Sequence, residues 1–221
     1  MTKPEMTKKV FAEALKKLAK KTSIDKIPTR EIILTSGLSS KTFYNHFKDK
    51  QELVVWIFHT EIEEVIASIT QDGDVANSSQ IKDKIKKATP YDKPFYIEFS
   101  EQTTTLSGKY WKCVGKHLYD NRAFYLNAFE SSCQNNLRDY LFILFRKQFK
   151  LEIIEMLGDR ECCPHDIDFL AEYFTNACVG YLIHWVQHCI NDYTPGSLHI
   201  DPSILTQNCM RFVLNSYILK A

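Results

Sequence analysis

The sequence predicts an all-α chain in which an N-terminal three-helix helix-turn-helix module joins a larger C-terminal helical bundle, and three observations carry that expectation. Apolar residues recur at helical spacing almost throughout, strand-like alternation is absent, and the breaks fall at proline and glycine. At 221 residues, 44% hydrophobic and 25% charged, the chain has the apolar content to bury a core. Its charge is divided unevenly. The total is only +1, yet residues 1–60 hold 12 Lys and Arg against 6 Asp and Glu, which leaves 16 basic and 21 acidic residues for the remainder. A basic head on an acidic body is the distribution expected of a polyanion-binding module attached to a second function.

The first helix is read from Val10, Phe11, Ala14, Leu15, Leu18 and Ala19, which recur among lysines over residues 5–21. After a short connection, Thr29 is placed to cap a second helix through Thr35, and Gly37 supplies the positive φ for a sharp turn. Ser39 or Ser40 caps a short third helix from Lys41 to Phe47, and Asp49 with Glu52 has the layout of a capping box opening a fourth. That fourth helix runs to about residue 70 on Leu53, Trp56, Ile57, Ile62, Val65 and Ile66. Further helices are expected near 78–88, 94–105, 107–119, 122–133, 135–158, 165–191 and 202–219. We place the domain boundary early in the fourth helix, giving residues 1–52 to the helix-turn-helix and residues 53–221 to the bundle.

Two short helices joined by a Gly-containing turn describe a module whose second helix enters the major groove of double-stranded DNA. At 100° per residue, Phe43 and Phe47 fall on one side of the third helix while Lys41, Tyr44, Asn45 and Lys48 fall on the other. The aromatics would then pack inward. Lys41 would meet phosphate or a guanine edge, Asn45 would pair with adenine, and Thr42 and Tyr44 would bond phosphate or touch a thymine methyl. Thr29 and the first-turn amides near Lys50 add helix N-termini for phosphate.

The run from Thr29 to Leu53, TREIILTSGLSSKTFYNHFKDKQEL, closely resembles the DNA-binding signature of TetR-type transcriptional regulators. Gly37, Ser39, Lys41, Thr42-Phe43-Tyr44, His46-Phe47, Lys50 and Leu53 carry the resemblance. Within that family, KDKQELVVWIF looks most like the subgroup that includes activators of dihydroxyacetone kinase operons. The resemblance implies a homodimer whose N-terminal modules each bind half an operator and whose C-terminal helices bind an effector and the partner subunit. It also implies DNA contact at Thr29, Lys41, Thr42, Tyr44, His46 and Lys50. His46 lies toward the flank of the buried face, so a ring bonded within the module is an equal reading. Ile33 is larger than the small residue usual in the family where the two helices cross.

In the C-terminal part, Ile167 to Ile190 is apolar around nearly the whole circumference, which demands burial on every side. Pairing with a second copy through this helix and the one over 202–219 meets that demand, with Tyr181, His184, Trp185, His188 and Phe212 as interface candidates and Gly180 permitting close approach. Phe99, Trp111, Tyr119, Phe129 and Tyr181 are candidates to line an effector cavity, although aromatics at this spacing are as often core. His184 and His188 share the spacing of zinc ligands, but two ligands do not make a site, and no metal or cofactor is expected. Vicinal Cys162 and Cys163 are read as ordinary free thiols.

Seven scattered cysteines fit a reducing compartment, and no unbroken apolar run exceeds that of Tyr140 to Phe145, far short of the roughly 20 residues that span a bilayer. A cytoplasmic protein with no membrane partner is expected. The sequence contains no phosphate loop, nucleophile elbow or dinucleotide fingerprint, which argues against an enzyme. A DNA-binding regulator, controlled by an unknown small-molecule effector or a co-regulator protein, is the first expectation. A helical protein-binding adaptor or small-molecule carrier without specific DNA binding is the alternative.

Overall fold

A computed structural model describes residues 3–71, 113–134, 136–190 and 202–216, and among these every regular element is helical. Helix α1 spans Lys3–Ala19, followed by a 3-10 turn at Ile24–Lys26. Helices α2 (Thr29–Ser36) and α3 (Ser40–Tyr44) form the tight pair, and α4 (Lys50–Gln71) leads away from it. The body contains α5 (113–120), α6 (Arg122–Phe129), α7 (Leu137–Leu157), α8 (Pro164–His184), a π turn at Trp185–Cys189, and α9 (Pro202–Ser216). The helices expected near 78–88 and 94–105, and most of that near 107–119, lie outside the described residues.

The local signals explain these boundaries with two corrections. Gly37 takes φ +69° and its amide bonds back to the Leu34 carbonyl, the left-handed ending that glycine adopts without a steric cost. Ser39 is the cap of α3, its Oγ accepting the Thr42 amide at 3.1 Å. Asp49 accepts the Glu52 amide at 2.9 Å, while the Glu52 carboxylate reaches back to the Lys48 amide at 2.5 Å, a capping box displaced by one residue. Thr29, expected as a cap, is instead the first residue of α2; Pro28 precedes it in extended backbone and needs no side-chain cap. Helix α3 stops at Tyr44 rather than Phe47, because its amides turn to the tighter pairing seen where His46 N–H bonds the Phe43 carbonyl.

The head packs around aromatic rings. Phe11 from α1 meets Phe43 edge-on at 5.1 Å between centroids, Phe47 lies 5.7 Å from Phe43, and Trp56 of α4 closes the cluster 6.0 Å from Phe47. Ile33 is buried within the main apolar core, so the larger side chain is accommodated. Helix α4 buries Leu53, Val54, Val55, Ile57, Phe58 and Ile62, apolar on more than one side, because it runs between head and body. One apolar core therefore continues from Phe11 through α4 to Val179 and Ile190 of the body. A second, smaller core gathers Phe149, Ile153, Leu170, Phe174, Met210 and Leu214 from α7, α8 and α9.

Candidate nucleic-acid interface and its supports

Helix α3 presents the two faces expected of it. Phe43 and Phe47 are buried, while Ser39, Ser40, Lys41, Tyr44, Asn45 and Lys48 are exposed on the outside of the head. Tyr44 is 59% exposed although its ring touches Phe43 edge-on at 5.3 Å, so the phenol is held by its base with its hydroxyl in solvent. Thr42 is half-buried, its hydroxyl within 2.8 Å of Ser39 Oγ. His46 is half-buried with its ring 6.4 Å from that of Phe47, so the ring leans on the aromatic core from its rim. Thr29 is half-buried at the start of α2. An exposed, cationic and hydroxyl-rich surface on a short helix is able to bond phosphates and base edges.

Lys50 departs from the expectation. Its ammonium turns inward and donates to the carbonyls of Ile24 at 2.5 Å, Ile27 at 2.7 Å and Asp25 at 3.2 Å. The α1–α2 connection turns three carbonyls toward one place, that of Ile24 also accepting the Ile27 amide, and a lysine with three donors reaches all of them. The Lys50 side chain therefore braces the head, and only its position at the N-terminus of α4 remains available to phosphate.

Sequence reading missed two polar hubs that tie the head to the body. Glu61, on α4, accepts from Lys16 of α1, from Tyr125 of α6, and from His117 of α5 at 2.9 Å. Burial of Glu61 opposes its charge, but the bonds from His117, Lys16 and Tyr125 outweigh it and hold the carboxyl below its usual range. The same arrangement drives Tyr125, fully buried, well above the ordinary phenol range, through burial first and the Glu61 charge second. Asp25, in the 3-10 turn, accepts Ser131 Oγ at 2.5 Å, the Ser132 amide at 2.9 Å, Ser132 Oγ at 3.1 Å and Cys133 Sγ at 3.3 Å. Partial burial works against its charge, yet those four donors lower the carboxyl to about 2. Neither residue stands out in the sequence, because each hub is assembled from side chains 45 to 108 positions apart.

Both carboxyls have folded values below their unfolded ones, so the stability they add is fully present above about pH 4.5 for Glu61 and pH 3.8 for Asp25, and is lost as pH falls below those values. Replacing Glu61 with Gln leaves Lys16 without its counter-charge and is expected to cost about 1–3 kcal/mol at neutral pH. The urea midpoint of the variant should also fall less between pH 5 and 3 than that of the natural chain. An unchanged acid slope would show that Glu61 does not carry this linkage.

The body corrects part of the interface expectation. Trp185 is buried in the intrachain core with Val186 and Ile190, so it is not an interface residue. At 100° per residue it falls within about 20° of Cys178, seven positions earlier and likewise buried, whereas Tyr181 is 46% exposed. The outward face carries Phe169, Tyr173, Ala177, Tyr181, His184 and His188, all exposed, with Phe169 and Tyr173 stacked and each about 60% accessible. A Cβ added at Gly180 would meet nothing within 4 Å, so that face is open, and Phe212 of α9 is 64% exposed. The rings of His184 and His188 lie 4.7 Å apart, and among the described residues no three His, Cys, Asp or Glu converge on a common point.

The five aromatics proposed for an effector cavity do not gather. Phe99 and Trp111 lie outside the described residues. Phe129 is fully buried and belongs to the main core. Tyr119 leans on that core from its edge, and Tyr181 faces outward. An open depression of about 660 Å³ between α7 and α8, lined by Ile154, Leu157, Arg160, Cys162, Cys163 and Ile167, involves none of them. Among the described residues, no helix is long and apolar enough to cross a membrane.

Residues 112–192 match the family TetR_C_8, described as a transcriptional regulator C-terminal region. A 66-residue stretch is 35% identical to the HTH-type dhaKLM operon transcriptional activator DhaS of Lactococcus lactis subsp. lactis (strain IL1403), covering 30% of this chain. The match spans 35% of that relative's length. The solved structure of a dihydroxyacetone kinase operon activator DhaS superposes with a TM-score of 0.52 over 93% of this chain and 97% of that one, at 18% identity, a likeness of fold.

Proposed function

We propose that the chain is a TetR-type transcriptional regulator, a homodimer that binds operator DNA sequence-specifically and is controlled through its C-terminal helices. The exposed face of α3 carries this reading: Lys41, Tyr44, Asn45 and Lys48 point outward from a rigid aromatic base in the basic third of the chain. Residues 1–52 serve DNA, with Thr29, Ser39, Ser40, Thr42 and His46 as supporting contacts, and residues 53–221 serve the partner subunit and an effector. That effector is a small molecule or a co-regulator protein. The outward aromatic face of α8 with Phe212 supports pairing of two copies, since an apolar stripe of this length is stable only when covered.

Duplexes selected from a random pool by the chain, measured by fluorescence anisotropy at several salt concentrations, test this function. A dimer contacting about 5–9 phosphates should give a log–log slope of roughly −4 to −8, and scrambled duplexes should bind at least 100-fold more weakly. Equal affinity for selected and scrambled duplexes would leave an adaptor or carrier as the better reading.

A further inference from the structure

The connection between α1 and α2 has no regular structure of its own beyond one 3-10 turn, yet it sets the direction in which α2 and α3 leave α1. Its backbone is held from the body. Asn127 of α6 accepts the Ile24 amide at 2.7 Å through Oδ1 and donates through Nδ2 to the carbonyls of Thr22 at 3.0 Å and Ala19 at 3.2 Å. One amide side chain thus reads three backbone groups of the head, using its acceptor and both donors. Beside it, Asp25 is clasped by the corner between α6 and α7 through Ser131, Ser132 and Cys133. From the head's own side, Lys50 binds the same turn. The connection is therefore gripped on both sides, and the grip from the body is made across more than 100 positions of sequence.

We infer that Asn127 and the Asp25 clasp are positioning residues that fix the head on the body and so determine which half-site spacing the dimer reads. The inference rests on the regulator reading above. In a symmetric dimer the distance between the two α3 helices is set by whatever attaches each head to its body, since the heads themselves are not joined. Moving one half-site by a base pair changes the separation by about 3.4 Å and the rotation by about 35°. A head held at a single point along α4 would follow such a change by bending at that point. A head held also at Asn127 and Asp25 resists both the shift and the rotation, so the wrong spacing is penalised.

The test uses the full-length dimer and duplexes carrying two copies of the selected half-site, at the preferred spacing and with the centre lengthened or shortened by one and two base pairs. A duplex with a single half-site reports the recognition helix alone. The natural chain should lose at least 10-fold in affinity per base pair of error. Asn127→Ala should lose less than about 3-fold for the same change, with its single-half-site affinity unchanged. Asp25→Asn, which keeps the size of the side chain and removes only its charge, should fall between the two and gives the same comparison if Asn127→Ala fails to fold. A folded variant with the same spacing penalty as the natural chain overturns the clamp. A natural chain that shows no preference for paired half-sites overturns the regulator reading itself, and the clamp with it.

Discussion

Replacing Lys41 and Tyr44 together with alanine weakens specific operator binding by about 2–4 kcal/mol, roughly 30- to 1,000-fold, and leaves the fold and dimer intact. Both side chains are exposed and neither supports the aromatic base of the head, which is built from Phe11, Phe43, Phe47 and Trp56. The expected signature is selective. Affinity for the selected duplex collapses toward that for a scrambled one, while the melting temperature and light-scattering mass stay within error of the natural chain. A double variant that shifts the selected duplex at the natural concentration would show that another surface reads the DNA. A variant that also melts early would mean that the Tyr44 ring, which touches Phe43, is part of the core.

The second large effect concerns assembly. Phe169→Asp combined with Phe212→Asp should convert the dimer to a soluble monomer at micromolar concentration, because each substitution places a charge at an exposed aromatic position, one on α8 and one on α9. Since both residues are more than 60% exposed within the chain, the monomer should retain its helix content. Trp185→Asp gives the opposite outcome, loss of the folded chain by several kcal/mol, because that indole is buried among Val186, Ile190 and the α6 contacts of the same subunit. Multi-angle light scattering with circular dichroism separates the two outcomes. A Phe169/Phe212 double variant that stays dimeric would move the interface elsewhere. Loss of the dimer should also cost operator affinity, since each half-site would then have to be bound independently.

How much was legible beforehand follows from the range over which each feature is built. The turn at Gly37, the cap at Ser39, the box at Asp49 and Glu52, and the division of α3 into a Phe43/Phe47 side and a Lys41/Tyr44 side depend on residues within four positions of one another. All were readable, apart from shifts of a residue or a turn at helix ends. The places of Trp185 and Phe129 within the chain's own core were not legible, for a different reason. Periodicity says that an apolar residue is covered, but not whether by its own chain, by a partner or by a ligand. Lys50 illustrates the same limit for charge, since a lysine at a helix start looks equally suited to a phosphate and to three carbonyls folded back against it.

The sequence by itself determined that this is a helical protein with a basic head and a short third helix whose polar side faces outward, because helix periodicity, caps and the Gly37 turn are local physics. Only the tertiary structure decided how the head is mounted: Glu61 meets Lys16, His117 and Tyr125, and Asn127 and Asp25 join the α1–α2 connection to the α6–α7 corner. Hydrogen bonds between groups more than 40 positions apart exist only once packing has brought the helices together, so no pattern along the chain announces them.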